Sequence, residues 1–257
     1  MGAGPRDEVI DALVAQVGDT GLFTDFDGTL SEIVDEPSRA VPLPGAAEVL
    51  GQLASRFGRV AVLSGRPVSF LAPWFPPEVL LSGLYGLELV VNGQRLDHPL
   101  GGVWREAVDD VAALSQARGP EGMRVEAKGL SLTLHYRGRP ERRDDVRRWA
   151  EQQAARSGLD VRPARLSYEL HPPIDVDKGT SLLELADDLS AVCFLGDDVG
   201  DLPAFDALDQ LAGSGTTAVR VGVRSAEVAP ELVERADVVV DGPPGALELL
   251  QALAAAS

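Results

Sequence analysis

Cysteine is almost missing from this chain. Cys193 stands alone, which excludes an internal disulfide and a cysteine-rich zinc site and fits a reducing compartment. Its setting, Ala191-Val192-Cys193-Phe194-Leu195, makes it a small core hydrophobe rather than a nucleophile. Positive charge is scarce as well. The 23 Lys and Arg stand against 40 Asp and Glu, a formal net charge of -17, and nucleic acid would need a basic surface. No apolar run reaches membrane-spanning length, and Met1-Gly2-Ala3-Gly4-Pro5 lacks the basic and apolar regions of a signal peptide. These absences point to a soluble, cytoplasmic protein without nucleic-acid or membrane partners, expected to act as a monomer.

What is present supports a real core. The 257 residues are 45% hydrophobic, enough for one large or two small domains. Short apolar runs at 59–63, 79–82, 191–195, 218–223 and 238–240 alternate with helical segments such as 45–56 and 179–189. That alternation predicts an α/β protein with βαβ units and a mostly parallel, Rossmann-like sheet. A last helix over 245–255 follows Gly-Pro-Pro-Gly punctuation. The middle differs: helix 104–118, strands 122–127 and 130–137, helix 141–157, then strands near 159–162 and 166–171. This αββαββ pattern predicts an antiparallel α+β cap over 102–172, inserted into a core of 1–101 and 173–257, with Gly101-Gly102 as its entry hinge. Period-2 alternation places Met123, Val125, Leu132, Leu134, Tyr136, Tyr168 and Leu170 toward the cap's helices. Arg124, Glu126, Thr133, His135, Arg137, Glu169 and His171 face away. That polar face is either an ordinary solvated sheet surface or, if the cap lies over a catalytic domain, a surface for a hydroxyl-rich ligand.

Four motifs fall at the ends of predicted parallel strands, where open α/β sheets bind ligands. In Asp25-Phe26-Asp27-Gly28-Thr29, Asp25 is placed as a covalent nucleophile on phosphorus and Asp27 as general acid and base. Carboxylates this close repel unless a cation sits between them, and hard oxygen ligands suit Mg²⁺. Ser64-Gly65-Arg66 offers a hydroxyl and loop amides for a phosphoryl oxygen, although an N-cap serine reads the same way. Lys178, opening a helix, can neutralise phosphoryl charge or be one solvated lysine among many. Gly196-Asp197-Asp198-Val199-Gly200-Asp201 crowds carboxylates that Mg²⁺ would relieve, or caps a helix whose dipole favours acids.

In this order, the four motifs resemble the haloacid dehalogenase superfamily of aspartyl-phosphate phosphotransferases along the whole chain. Ser82-Gly83-Leu84-Tyr85-Gly86-Leu87-Glu88, Glu126-Ala127-Lys128-Gly129-Leu130-Ser131 and His135-Tyr136-Arg137 resemble trehalose-6-phosphate phosphatases more narrowly. The resemblance implies Mg²⁺-dependent hydrolysis of a small-molecule sugar phosphate, trehalose 6-phosphate. It implies a metal site of the Asp25 carboxylate, the Asp27 carbonyl and Asp197, with Asp198 or Asp201 beside them. Ser64, Gly65, Lys178 and the amides of Gly28 and Thr29 would grip the phosphoryl group. Glu126, Lys128 and Glu169 would hold the sugar, with Arg66, His135 and Arg137 as further substrate contacts. Val199-Gly200 stands where that family often has Thr-Thr, which puts the hydroxyls next to the acids in question. A phosphatase for another sugar phosphate, such as sucrose 6-phosphate, and a non-catalytic phosphosugar sensor are the rival readings. Intact Asp25, Asp27 and Lys178 weigh against the sensor.

Overall fold

Runs such as Thr20-Gly21-Leu22-Phe23-Thr24 are apolar without alternation, as a strand covered on both faces requires, and all five residues are buried. The computed structural model describes residues 4–34, 36–164, 166–225, 228 and 230–257. The chain divides into two units, Met1–Leu96 with Val176–Ser257, and Asp97–Asp175. In chain order the strands are β1 (Thr20–Thr24), β2 (Arg59–Leu63), β3 (Leu80–Gly83), β4 (Glu88–Val91), β5 (Gln94–Asp97) and β6 (Arg124–Ala127). They continue as β7 (Leu132–His135), β8 (Asp160–Ala164), β9 (Ser167–His171), β10 (Ala191–Gly196), β11 (Thr217–Val223) and β12 (Val238–Val240).

The first unit carries a sheet of order β12-β11-β10-β1-β2-β3-β4-β5. Its pairs from β12 to β3 are parallel, as the βαβ alternation predicts, and β1 and β10 are central neighbours. The helices α1 (Pro5–Val14), α2 (Ala46–Ala54) and α3 (Val68–Leu71) precede the inserted segment. The antiparallel β4 extension was not expected. Its turn, Asn92-Gly93, has φ of 50° and 73°, the left-handed pair that a two-residue hairpin needs. Apolar periodicity missed it because every residue of β5 is exposed. Cys193 is fully buried in β10, and burial raises its thiol pKa, which suits a packing role. No helix among the described residues is long and apolar enough to cross a membrane.

The inserted unit holds α4 (Gly101–Arg118) and α5 (Arg143–Ser157) with a four-stranded sheet of order β6-β7-β9-β8. All its strand pairs are antiparallel. Leu132, Leu134, Tyr136, Tyr168 and Leu170 form its core with Val108, Val111 and Val146, and Met123 and Val125 pack at the margin. The division falls at Asp97 and Asp175, beside the 102–172 expected, and Gly101-Gly102 opens α4. The opposite sheet face is not a solvated surface throughout, since Thr133, His135 and Glu169 are only 4%, 8% and 4% exposed. Chain re-entry into the first unit is through α6 (Lys178–Ala186), followed by α7 (Leu202–Gly213), α8 (Pro230–Arg235) and α9 (Gly242–Ala256).

Phe194 of β10 and Phe205 of α7 are fully buried and meet edge to face at 6.4 Å. Phe194→Ala should therefore lower the unfolding free energy of this unit by about 3–5 kcal/mol in urea titration. Val41→Ala, at a residue 51% exposed, should change it by no more than about 0.5 kcal/mol. Similar losses at the two positions would show that the Phe194 contact does not belong to the load of the core.

Candidate active site

Register brings the motifs together. Thr24 pairs with Leu195 where β1 and β10 end, so Asp25 and Asp197 leave neighbouring strands at the same edge. The Asp25 amide donates to the Leu195 carbonyl at 2.9 Å and the Thr24 hydroxyl to the Asp25 carbonyl at 2.8 Å. Ser64 follows β2 on the other side of β1, with its amide on the Ser82 carbonyl and its hydroxyl accepting from the Arg66 amide at 3.1 Å. Gly65 lies against the Tyr85 ring, 2.7 Å from where a Cβ would stand. The turn after Asp27 depends on Gly28, whose φ is 81° and whose Cβ would lie 2.1 Å from Asp197 Oδ2. Only glycine tolerates both constraints.

Lys178 is set by a helix cap. The Asp177 carboxylate accepts from the Thr180 amide at 2.8 Å, and the Thr180 hydroxyl accepts from the Asp177 amide at 2.9 Å. This fixes Lys178 as the first residue of α6. Its ammonium lies 2.6 Å from both Asp25 Oδ1 and Asp201 Oδ1, and all three residues are buried. The second Asp201 oxygen accepts the amides of Asp197 and Asp198 at 2.8 and 3.1 Å. Asp198 in turn caps the Gly200 amide at 2.8 Å.

Burial pushes the Asp25 carboxyl well above its ordinary pKa; Lys178 opposes the shift while Asp201, Asp197 and Asp198 add to it. Asp197 is pushed up to about 7, mainly by burial and by Asp201, against the Ser225 hydrogen bond. Asp198 is raised for the same first two reasons. Burial pulls the Lys178 pKa down, but Asp201 and Asp25 overcome it and hold the ammonium well above its usual pKa. Carboxylate oxygens of Asp25, Asp197 and Asp201 lie within 4.8 Å of one another. Those acids and Lys178 carry a formal surplus of two negative charges, and a hard divalent cation such as Mg²⁺ fits such an all-oxygen set.

Two arrangements depart from the sequence expectation. Arg66, expected at the substrate, grips both oxygens of Asp27 at 2.7 Å, donates to the Pro37 carbonyl and covers the Phe70 ring. The amides of Gly28 and Thr29, expected on phosphoryl oxygens, bond the carbonyls of Ser31 and Phe26. The Phe26 and Asp27 amides close none of these turn bonds. Sequence reasoning also missed Ser225, just past β11, whose hydroxyl donates to Asp197 Oδ2 at 2.6 Å. Together with Thr29 at 3.4 Å on Oδ1, it gives Asp197 the hydroxyl partners that Val199-Gly200 cannot. Its place at a strand end was the one available signal.

A sequence profile described as trehalose-phosphatase matches residues 23–241. The chain belongs to the trehalose-phosphatase family. The trehalose-phosphate phosphatase of Mycobacterium ulcerans is 35% identical over 227 residues, 80% of this chain. The chain spans 58% of the length of that relative. The C-terminal domain of trehalose-6-phosphate phosphatase from C. albicans superposes with a TM-score of 0.76 at 23% identity, over 98% of this chain and 97% of that one. A haloacid dehalogenase-like hydrolase from Bacteroides thetaiotaomicron superposes with a TM-score of 0.61 at 14% identity, over 91% and 98% of the two chains. These likenesses establish the haloacid dehalogenase fold expected from the four motifs.

The inserted unit of this family member holds a second polar group. Lys128 Nζ lies 3.7 Å from Glu169 Oε2, the Ser131 hydroxyl donates to Glu169 Oε1 at 2.8 Å, and His135 Nε2 meets Glu126 Oε2 at 2.7 Å. Arg137 is half-buried just past β7.

A carboxyl whose pKa is raised by folding stabilises the protein in its protonated form. That contribution is complete below the unfolded value near pH 4 and is lost as pH rises through about 7 for Asp197. Metal-free protein should thus lose melting temperature between about pH 5 and 8. Added Mg²⁺ should raise Tm more at pH 8 than at pH 6, where the carboxyl holds its proton. No Mg²⁺ shift at either pH would refute the cation site, and equal shifts at both would refute the competition between Mg²⁺ and the Asp197 proton.

Proposed function

We propose that this chain is a Mg²⁺-dependent phosphatase that hydrolyses trehalose 6-phosphate to trehalose and phosphate, acting as a cytoplasmic monomer with no nucleic-acid partner. The observation that carries the reading is the buried Asp25–Lys178–Asp201 contact beside an Arg66-held Asp27, in a chain of the trehalose-phosphatase family.

In the first half-reaction an Asp25 oxygen forms a bond to phosphorus while the bond from phosphorus to the sugar oxygen breaks. Asp27, steered by Arg66, gives that oxygen its proton. In the second half a water, deprotonated by Asp27, attacks the phosphorus of the aspartyl-phosphate. The Asp25–phosphorus bond breaks, and phosphate leaves with Asp25 restored. Lys178, the Ser64 hydroxyl, Gly65, and the amides of Phe26 and Asp27 would hold the phosphoryl oxygens. Asp201 keeps Lys178 and the Asp197-Asp198 backbone in place. The Asp25 and Asp197 carboxylates and the Asp27 main-chain carbonyl would hold Mg²⁺, with Asp198 adding charge beside them. When bound, that ion would offset the charge of the phosphoryl group. Glu126, Lys128 and Glu169 of the inserted unit, with His135 and Arg137, would bind the sugar, so that its binding energy helps to orient the reacting centre.

Phosphate release from trehalose 6-phosphate, sucrose 6-phosphate and glucose 6-phosphate, with and without Mg²⁺, tests the substrate and the metal together. Trehalose 6-phosphate should be turned over fastest, EDTA should stop the reaction and Mg²⁺ should restore it. Asp25→Asn should abolish turnover, and Asp27→Asn should cost about 10²–10⁴-fold. Wild-type rates in a folded Asp25→Asn protein would sink the mechanism.

Glu126→Ala, Lys128→Ala and Glu169→Ala should each lose more activity on trehalose 6-phosphate than on p-nitrophenyl phosphate. A lost hydrogen bond to a charged group corresponds to about 1.5–3 kcal/mol in kcat/KM. Equal losses on the two substrates would remove these residues from the sugar site.

A further inference from the structure

Thr133 lies at the middle of the polar face of the inserted sheet. Its neighbours Leu132 and Leu134 enter the core of that unit, so Thr133 and His135 turn to the other side. In register, Thr133 stands directly between Glu126 of β6 and Glu169 of β9, with adjacent strands about 4.8 Å apart. A hydroxyl therefore occupies the row between two carboxylates. The residue is only 4% exposed, yet its Oγ1 has no hydrogen-bond partner among the described residues. The acids on either side do have partners: Glu169 has Ser131 and Lys128, and Glu126 has His135.

Buried hydroxyls are rarely left unpaired, because desolvation is not recovered without a bond. Valine has the same shape and the same strand preference without that cost, so folding gives no reason for this oxygen. Two residues away, His135 Nδ1 is also buried and has no partner among the described residues. With Nε2 facing the Glu126 carboxylate, Nδ1 is the ring nitrogen left to meet a ligand. The row thus offers acceptors at Glu126 and Glu169, a ring nitrogen at His135, and one group at its centre that both donates and accepts. Neighbouring sugar hydroxyls have the complementary need, since each donates one hydrogen and also presents lone pairs that a carboxylate cannot serve.

We propose that Thr133 Oγ1 is a specificity-determining contact of this enzyme, bonded to a ring hydroxyl of the sugar seated between the groups held by Glu126 and Glu169. The proposal rests on the reading that those acids bind the sugar. It assigns Thr133 the recognition of a hydroxyl-bearing ring, with no part in the chemistry at phosphorus.

The test compares wild type, Thr133→Val and Thr133→Ser on trehalose 6-phosphate, sucrose 6-phosphate, glucose 6-phosphate and p-nitrophenyl phosphate, with Tm measured for each protein. Thr133→Val should lower kcat/KM for the preferred sugar phosphate by about 3- to 10-fold relative to the aryl phosphate, the worth of one neutral hydrogen bond. Its Tm should equal or exceed that of wild type, and Thr133→Ser should recover most of the loss. An unchanged ratio in a folded Thr133→Val protein would overturn the proposal, as would a loss shared equally by both substrate types. If wild type ignores trehalose 6-phosphate but cleaves another sugar of the panel, the substrate reading fails, and Thr133 is judged by the same ratio on that sugar. If wild type cleaves no sugar phosphate, both readings fall.

Discussion

One ammonium group, Lys178 Nζ, ties together segments that are remote in the chain. It reaches Asp25 across 153 positions and Asp201 across 23, at 2.6 Å in both cases. None of the three side chains has appreciable contact with solvent. A buried charge left without its partner is strongly destabilising, so the positions of β1, of α6 and of the loop after β10 are mutually constrained. Asp201 extends that constraint by holding two amides of the acidic loop with its other oxygen. Three of the four motifs therefore meet in a single charged unit at this sheet edge.

That unit is electrostatically incomplete. The acids outnumber the cations that touch them, and burial raises Asp25, Asp197 and Asp198 above ordinary carboxylate values. Lys178 is committed to two carboxylates and Arg66 to a third. On the proposed function, a protein of formal charge -17 that binds a phosphate ester would have to create local positive potential by other means. A divalent cation among these oxygens would answer both requirements, since it would relieve the crowded acids and attract an anionic substrate.

The inserted unit uses its sheet asymmetrically. One face is spent on an apolar core closed by α4 and α5. The other collects carboxylates, a lysine, a histidine and hydroxyls that are largely withdrawn from solvent. Most of these groups are paired with one another, as Lys128 is with Glu169 and His135 with Glu126. Pairing of this kind lowers the cost of burial while keeping donors and acceptors arranged for a polar ligand.

Periodicity and strand-end position made much of this legible in the linear sequence. Non-alternating runs predicted the parallel strands, alternation assigned the two faces of the inserted sheet, and carboxylates after apolar runs marked the candidate site. Each of these is a local property, carried by neighbouring residues and the pleat of the backbone. The exposed β5 hairpin lacked such a pattern, and only its Asn92-Gly93 turn betrayed it. Tertiary structure alone decided which groups pair across distance: Arg66 with Asp27, 39 residues apart, and Ser225 with Asp197, 28 apart. It also decided that the Gly28 and Thr29 amides close their own turn and that Thr133 keeps a buried oxygen unbonded among the described residues. Strand order and register set those pairings, and both arise from how the whole sheet packs. A residue's own neighbours in the sequence therefore carry no record of them.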